Sequence, residues 1–215
     1  MGMRSPTVQD SDLSARAKIR EAALRLFGSS GFGVSLRTIA MAAGVSPGLV
    51  IHHFGNKDGL REAVDQSVMK TLLGRFGAIP PELPADELSR TMGDVFSEVI
   101  GASPVVRRYV RRSLLEATPA SQTIFDELLA LINKSLGQLQ RAGGLRESPD
   151  PQWRPYQLLF VILGTLLLEP AIQSHFDQSV YEPDLRRERT AANYDLLSHG
   201  MFCTSADATP ERPKS

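Results

Sequence analysis

Apolar residues recur along this chain at helical rather than strand spacing. Ile19, Ala22, Ala23, Leu26 and Phe27 form an i, i+3, i+4, i+7, i+8 stripe that predicts a helix from Leu13 to Ser29, closed at Gly31. Ile39, Ala40 and Ala43 mark a short helix, Val50 and Phe54 another, and Lys57, Leu60, Ala63, Val64, Ser67 and Val68 a fourth reaching Leu73. The proline-rich IPPELPA stretch, Ile79 to Ala85, breaks the pattern. Beyond it, Asp86 to Ile100, Pro104 to Ala117, Thr118 to Arg141, Tyr156 to Phe176 with a kink at Pro170, and Leu185 to Phe202 all read as helices. The expected architecture is therefore all-α, with a small domain at 12–73, a larger one at 86–203 and a polar, disordered tail at 204–215.

The segment IAMAAGVSPGLVIHHF, Ile39 to Phe54, carries the most local information. Small alanines let a second helix cross closely, and Gly44 supplies the left-handed residue that ends the first helix. After a buried Val45, Ser46 is an N-cap and Pro47 occupies the first helical position, where its missing N–H costs nothing. Val50 and Phe54 face the core. Pro47, Gly48, Leu49, Ile51, His52 and His53 are left at the outside or the margin. A helix, a tight glycine turn and a short second helix make a helix-turn-helix, whose outer face enters a major groove.

Charge agrees with that reading. The whole chain is neutral, with 24 basic and 24 acidic residues. Leu13 to Arg61 is not: Arg16, Lys18, Arg20, Arg25, Arg37, Lys57 and Arg61 face only Glu21 and Asp58, so seven minus two leaves plus five. The single cysteine, Cys203, excludes an internal disulfide and suits a reducing cytoplasm. No signal core precedes the first helix, and Pro6 spoils a myristoylation pattern. The longest apolar run, Leu158 to Leu168, is cut by Glu169 and Pro170, short of the ~20 residues that span a bilayer, so no membrane partner is expected.

Ile19, Ala22, Ala23, Leu26, Phe27, Gly31, Ile39, Ala40, Ala43, Gly44, Val45, Ser46, Gly48, Phe54, Lys57 and Leu60 together resemble the TetR family of bacterial regulators across the first third of the chain. The resemblance implies a homodimer that binds a palindromic operator through Arg37, Thr38, Ser46, Pro47, Gly48, Leu49, Ile51, His52, His53 and Lys57. One position departs from the family pattern: Ile51 stands where a tyrosine usually reaches a phosphate. The family also implies an effector pocket among the central helices of the second domain, whose facing sides offer Met92, Phe96, Val99, Leu114, Phe125, Leu128, Ile132, Phe160 and Leu163, with Asn133 or Thr165 as polar groups. These residues equally suit a filled core. The last two long helices are expected to pair with those of a second copy through Gly164, Thr165, Leu168 and Leu196, because Leu158 to Leu168 is too broadly apolar for a helix with one solvated side.

Other chemistry is weakly signalled. Arg107, Arg108, Arg111 and Arg112 could hold an anion but read better as a solvated face beside Glu116. His52 and His53 have no Cys or carboxylate in ligand register, and His175 and His199 sit at helix ends, so no metal site is predicted. No catalytic or nucleotide-binding motif occurs, so neither an enzyme nor a cofactor is expected. The expected function is a cytoplasmic, ligand-responsive repressor released by a small apolar or amphipathic effector. An activator of the same fold and a helical dimeric interaction protein without DNA binding remain open alternatives.

Overall fold

The computed structural model describes residues 8–80, 82–116 and 119–201. Its regular elements are all helical: α1 (Val8–Ser30), α2 (Leu36–Ala43), α3 (Pro47–Phe54), α4 (Lys57–Gly77), α5 (Ala85–Ala102), α6 (Pro104–Leu115), α7 (Pro119–Arg141), α8 (Arg154–Ile172) and α9 (Pro183–Gly200). Short 3-10 turns, Pro151–Trp153 and Gln173–His175, flank α8. The expected helices are present, with ends that move by a few residues. α1 starts earlier, α4 runs four residues past Leu73, and the α ladder of α8 ends two residues after Pro170. Ala117, Thr118, Phe202, Cys203 and the tail lie outside the described residues.

The helices form two compact units, residues 1–71 with 103–124, and residues 72–102 with 125–215. The first is built on Ile19, Ala22, Ala23, Phe27, Ile39, Ala40, Val50, Leu60 and Val64, all at most 1% exposed. Helices of eight residues, such as α2 and α3, are marginal alone, so burial against α1 and against each other holds them. α6 belongs to this unit. The sequence places Pro104 to Ala117 in the second domain, yet α6 lies against α1. Nothing in its own periodicity names that partner. The reading of its four arginines as a solvated face also fails for Arg107, which is buried.

The second unit contains the end of α4, α5, α7 from Phe125 onward, α8 and α9. Leu88, Leu128, Leu139, Leu159 and Leu166 are almost wholly inaccessible, and Thr190 Oγ1 of α9 lies 2.9 Å from Ser97 Oγ of α5. α8 is not covered on both faces within one chain: Phe160 is 65% exposed and Leu168 57%. Among the described residues, Pro151–His175 is long and apolar enough to cross a membrane by length and composition, with mean hydropathy 1.6. This differs from the expectation based on the uninterrupted run alone, because the helix continues apolar through Glu169 and Pro170. His175 and His199 are both exposed, His199 Nδ1 lying 2.8 Å from the Asp195 carbonyl oxygen.

Candidate nucleic-acid interface and ligand cavity

The helix-turn-helix is set by capping chemistry. Ser35, in extended backbone, caps α2 by accepting from Thr38 N–H at 3.1 Å, while the Thr38 hydroxyl lies 2.8 Å from Ser35 Oγ. α2 ends at Gly44 with φ 68°, a conformation that any side chain would strain. Ser46 then opens α3 by accepting from Leu49 N–H at 3.2 Å, and Pro47 follows at the first turn. Beyond Gly55, Asn56 Oδ1 accepts from Gly59 N–H at 2.9 Å and starts α4. These caps satisfy amides that would otherwise face solvent, and they fix the α2–α3 angle within a dozen residues.

The face this presents is mixed. Val50 and Phe54 point into the core, while Arg37, Ser46, Pro47, Gly48, Ile51 and His52 are exposed, and Thr38, Leu49 and Lys57 are half-buried. His53 departs from its expected role. Only 6% of its side chain is exposed, and Nε2 lies 3.3 Å from Asp12 Oδ1 on α1, so it braces α3 from behind rather than facing outward. Val45 and Ala43 are half-buried instead of sealed. Sequence reasoning missed Met41, an apolar side chain that is 77% exposed on α2. Part of the basic excess is engaged locally: Arg25 pairs with Glu21 at 2.6 Å, and the Arg16 guanidinium lies 5.5 Å from the Phe54 ring centroid. Arg37 is exposed on α2, beside the turn.

The second unit holds a cavity of about 670 Å³. One wall is apolar, from Leu128, Leu131, Ile132, Leu136 and Leu139 of α7 and Leu158, Val161 and Ile162 of α8. The other is amphipathic, from Met92, Phe96, Arg90 and Ser97 of α5 and Thr190, Asn193 and Tyr194 of α9. The Arg90 guanidinium lies 4.4 Å from the Tyr194 ring centroid, and the Arg189 guanidinium stacks near Tyr181 while donating to the Val180 carbonyl at 2.6 Å. Of the expected pocket residues, Met92, Phe96, Leu128 and Ile132 line this cavity. Val99 and Leu163 are core, Phe125 is half-buried outside the wall, Phe160 faces solvent, and Leu114 belongs to the first unit. Thr165, expected both as a polar group of the pocket and at a subunit interface, lines the cavity, whereas Asn133, the other polar group expected in the pocket, borders a smaller cleft with Gln140 and Tyr156. The polar wall from α9 was missed because that helix shows no apolar stripe to flag an inward face.

Residues 19–64 match the family model for bacterial regulatory proteins of the tetR family, and residues 102–203 match the tetracyclin repressor-like C-terminal domain. The HTH-type transcriptional regulatory protein RaaS of Mycobacterium tuberculosis is 36% identical over 203 residues, 93% of this chain and 92% of the relative. Among solved structures, the fold is shared with SmeT, the repressor of the Stenotrophomonas maltophilia multidrug efflux pump SmeDEF, at TM-score 0.65 and 23% identity over 93% of this chain and 96% of that one. It is shared equally with the fatty acid degradation regulator FadR of Bacillus halodurans, at TM-score 0.71 and 16% identity over 91% and 96% of the two chains. With a helix-turn-helix at residues 36–54, a matching C-terminal domain and a relative similar along nearly its whole length, this chain belongs to the TetR family of DNA-binding transcriptional regulators.

Proposed function

We propose that the protein is a homodimeric repressor that reads a palindromic operator with two copies of α3 and is released when an apolar or amphipathic molecule occupies the cavity of the second unit. The cavity carries this reading. A space of about 670 Å³ with one apolar wall and a few convergent polar groups falls in the range of small-molecule sites, and a filled core would leave no such volume. SmeT, of the same fold, is described both as a repressor and in a complex with triclosan, which supports the same division of labour here.

The dimer reading rests on α8 and α9. Phe160 and Leu168 are exposed along α8, Trp153 just before it, and Leu196 is 65% exposed on α9. A Cβ added at Gly164, between Phe160 and Leu168, would meet nothing within 4 Å, which leaves room for a neighbouring helix. Large apolar side chains left exposed along one helix suit an interaction site, and a second copy also gives the two-fold symmetry that paired half-sites require. In this account the regulator works in the cytoplasm, and effector binding favours a dimer whose α3 helices no longer match major grooves about 34 Å apart.

Selection of duplexes from a random-sequence pool tests the proposal. A repressor of this type enriches an inverted repeat with half-site centres about one helical turn apart. Enrichment of a single unrepeated site contradicts the two-fold reading, and no enrichment at all points to an interaction protein instead.

A further inference from the structure

The first unit is larger than its helix-turn-helix, and α6 is what enlarges it. A Cβ added at Gly28 of α1 would stand 3.1 Å from the backbone nitrogen of Tyr109, so glycine at that position is what lets α6 approach α1 so closely. Tyr109 is fully buried at this crossing. Its ring meets Phe32 edge-on at 5.7 Å, and Phe32 in turn lies 5.2 Å from Phe27 of α1. Its hydroxyl donates to Asp65 Oδ1 of α4 at 2.6 Å. One turn earlier on α4, the Arg61 guanidinium lies 3.5 Å from the Phe32 ring centroid and 3.6 Å from Glu116 at the end of α6. A single residue of α6 therefore packs into the core of α1 and grips α4. Leu60 and Val64 of α4, on either side of Arg61, are buried, and at the start of the same helix a Cβ added at Gly59 would run into the Phe54 carbonyl oxygen, so α4 leans directly on the end of α3.

We propose that Tyr109 and Asp65 are positioning residues for DNA binding: their hydrogen bond sets α4 against α1 and so fixes the angle at which α3 is presented. Tyr109 has no exposed surface with which to touch DNA, and a carboxylate such as Asp65 repels phosphate, so any effect on affinity runs through geometry. Eight-residue helices take their orientation from what they lean on, and a short, charge-assisted hydrogen bond is the directional element in that support. Burial and the adjacent carboxylate hold the Tyr109 phenol well above its ordinary pKa, which keeps the donor proton in place. The family model for the DNA-binding domain covers residues 19–64 and includes neither residue.

The test compares wild type, Tyr109→Phe and Asp65→Asn on a duplex selected by the wild-type protein, at a temperature where circular dichroism shows each variant folded. Tyr109→Phe is expected to weaken binding about tenfold with an unchanged salt slope, and Asp65→Asn, which keeps an acceptor oxygen, about threefold. A folded Tyr109→Phe that binds within twofold of wild type overturns the proposal, even if its melting temperature falls. Should that variant not fold, unchanged affinity of Asp65→Asn overturns it instead. Failure to select any duplex would defeat the operator reading rather than this one. The pair is then judged on amide exchange in α2 and α3 of the free protein, which Tyr109→Phe accelerates about tenfold if the hydrogen bond positions them and leaves unchanged if it does not.

Discussion

Arg37 and Lys57 are both cations near the turn, but their exposure separates their roles. Arg37 is exposed on α2, and a guanidinium that reaches a base edge discriminates bases. Arg37→Ala should cost about 1–3 kcal/mol of specific affinity and relax one operator position, whereas Lys57→Ala, at the half-buried start of α4, should weaken all sequences alike and reduce the salt slope by about one unit. Binding isotherms at several salt concentrations on matched and mismatched duplexes decide both; a reversal of the two patterns would exchange the assignments. Tyr109 makes a separate prediction about pH. Its phenol is raised above its ordinary value of 10.0, so the folded state retains a proton that the unfolded chain gives up. The corresponding stability is complete below pH 10 and is lost as pH climbs beyond it. Thermal melts should therefore show the gap between wild type and Tyr109→Phe narrowing above pH 10; a constant gap would mean that the phenol does not titrate out of reach of solvent.

At the scale of elements, the cavity wall can be told from a core by substitution. Phe96 is half-buried on α5, lines the cavity, and has its ring centroid 6.1 Å from that of Phe76. Phe96→Ala should cost less than the ~3–5 kcal/mol of a sealed core site and should weaken binding of a hydrophobic dye such as Nile red. A full core penalty with unaltered dye binding would remove Phe96 from the wall. What the sequence revealed follows the reach of its signals. The α2–α3 turn was legible because Gly44, Ser46 and Pro47 act within a few residues of themselves. His53 was misplaced because its partner Asp12 lies on another helix, and the packing of α6 against α1 went unseen because Tyr109 and Asp65 are 44 residues apart. Periodicity shows that a face is buried and leaves open what buries it. The polar wall of the cavity illustrates the same limit: Arg90, Thr190 and Tyr194 have ordinary surface spacing and acquire their setting only when α5 meets α9.

For the whole molecule, the proposed dimer would tie assembly through the exposed apolar face of α8 to DNA reading. Placing a charge there, as in Leu168→Glu, should leave each chain folded but shift the mass in light scattering from two chains of 23.5 kDa towards one. Operator affinity should fall with it; a monodisperse dimer with full affinity would place the interface elsewhere. A scan of the selected duplex with uracil in place of each thymine tests directly whether two copies of α3 read the operator. The outer face of α3 presents Leu49 and Ile51, which cannot hydrogen-bond to base edges, so in the proposed complex they are expected to contact thymine methyls in the major groove. Loss of one such methyl contact is worth about 0.8 kcal/mol, roughly a fourfold loss of affinity. The account predicts sensitive thymines in two symmetry-related half-sites about one helical turn apart. Unchanged affinity at every thymine, or sensitivity confined to one half-site, would contradict it.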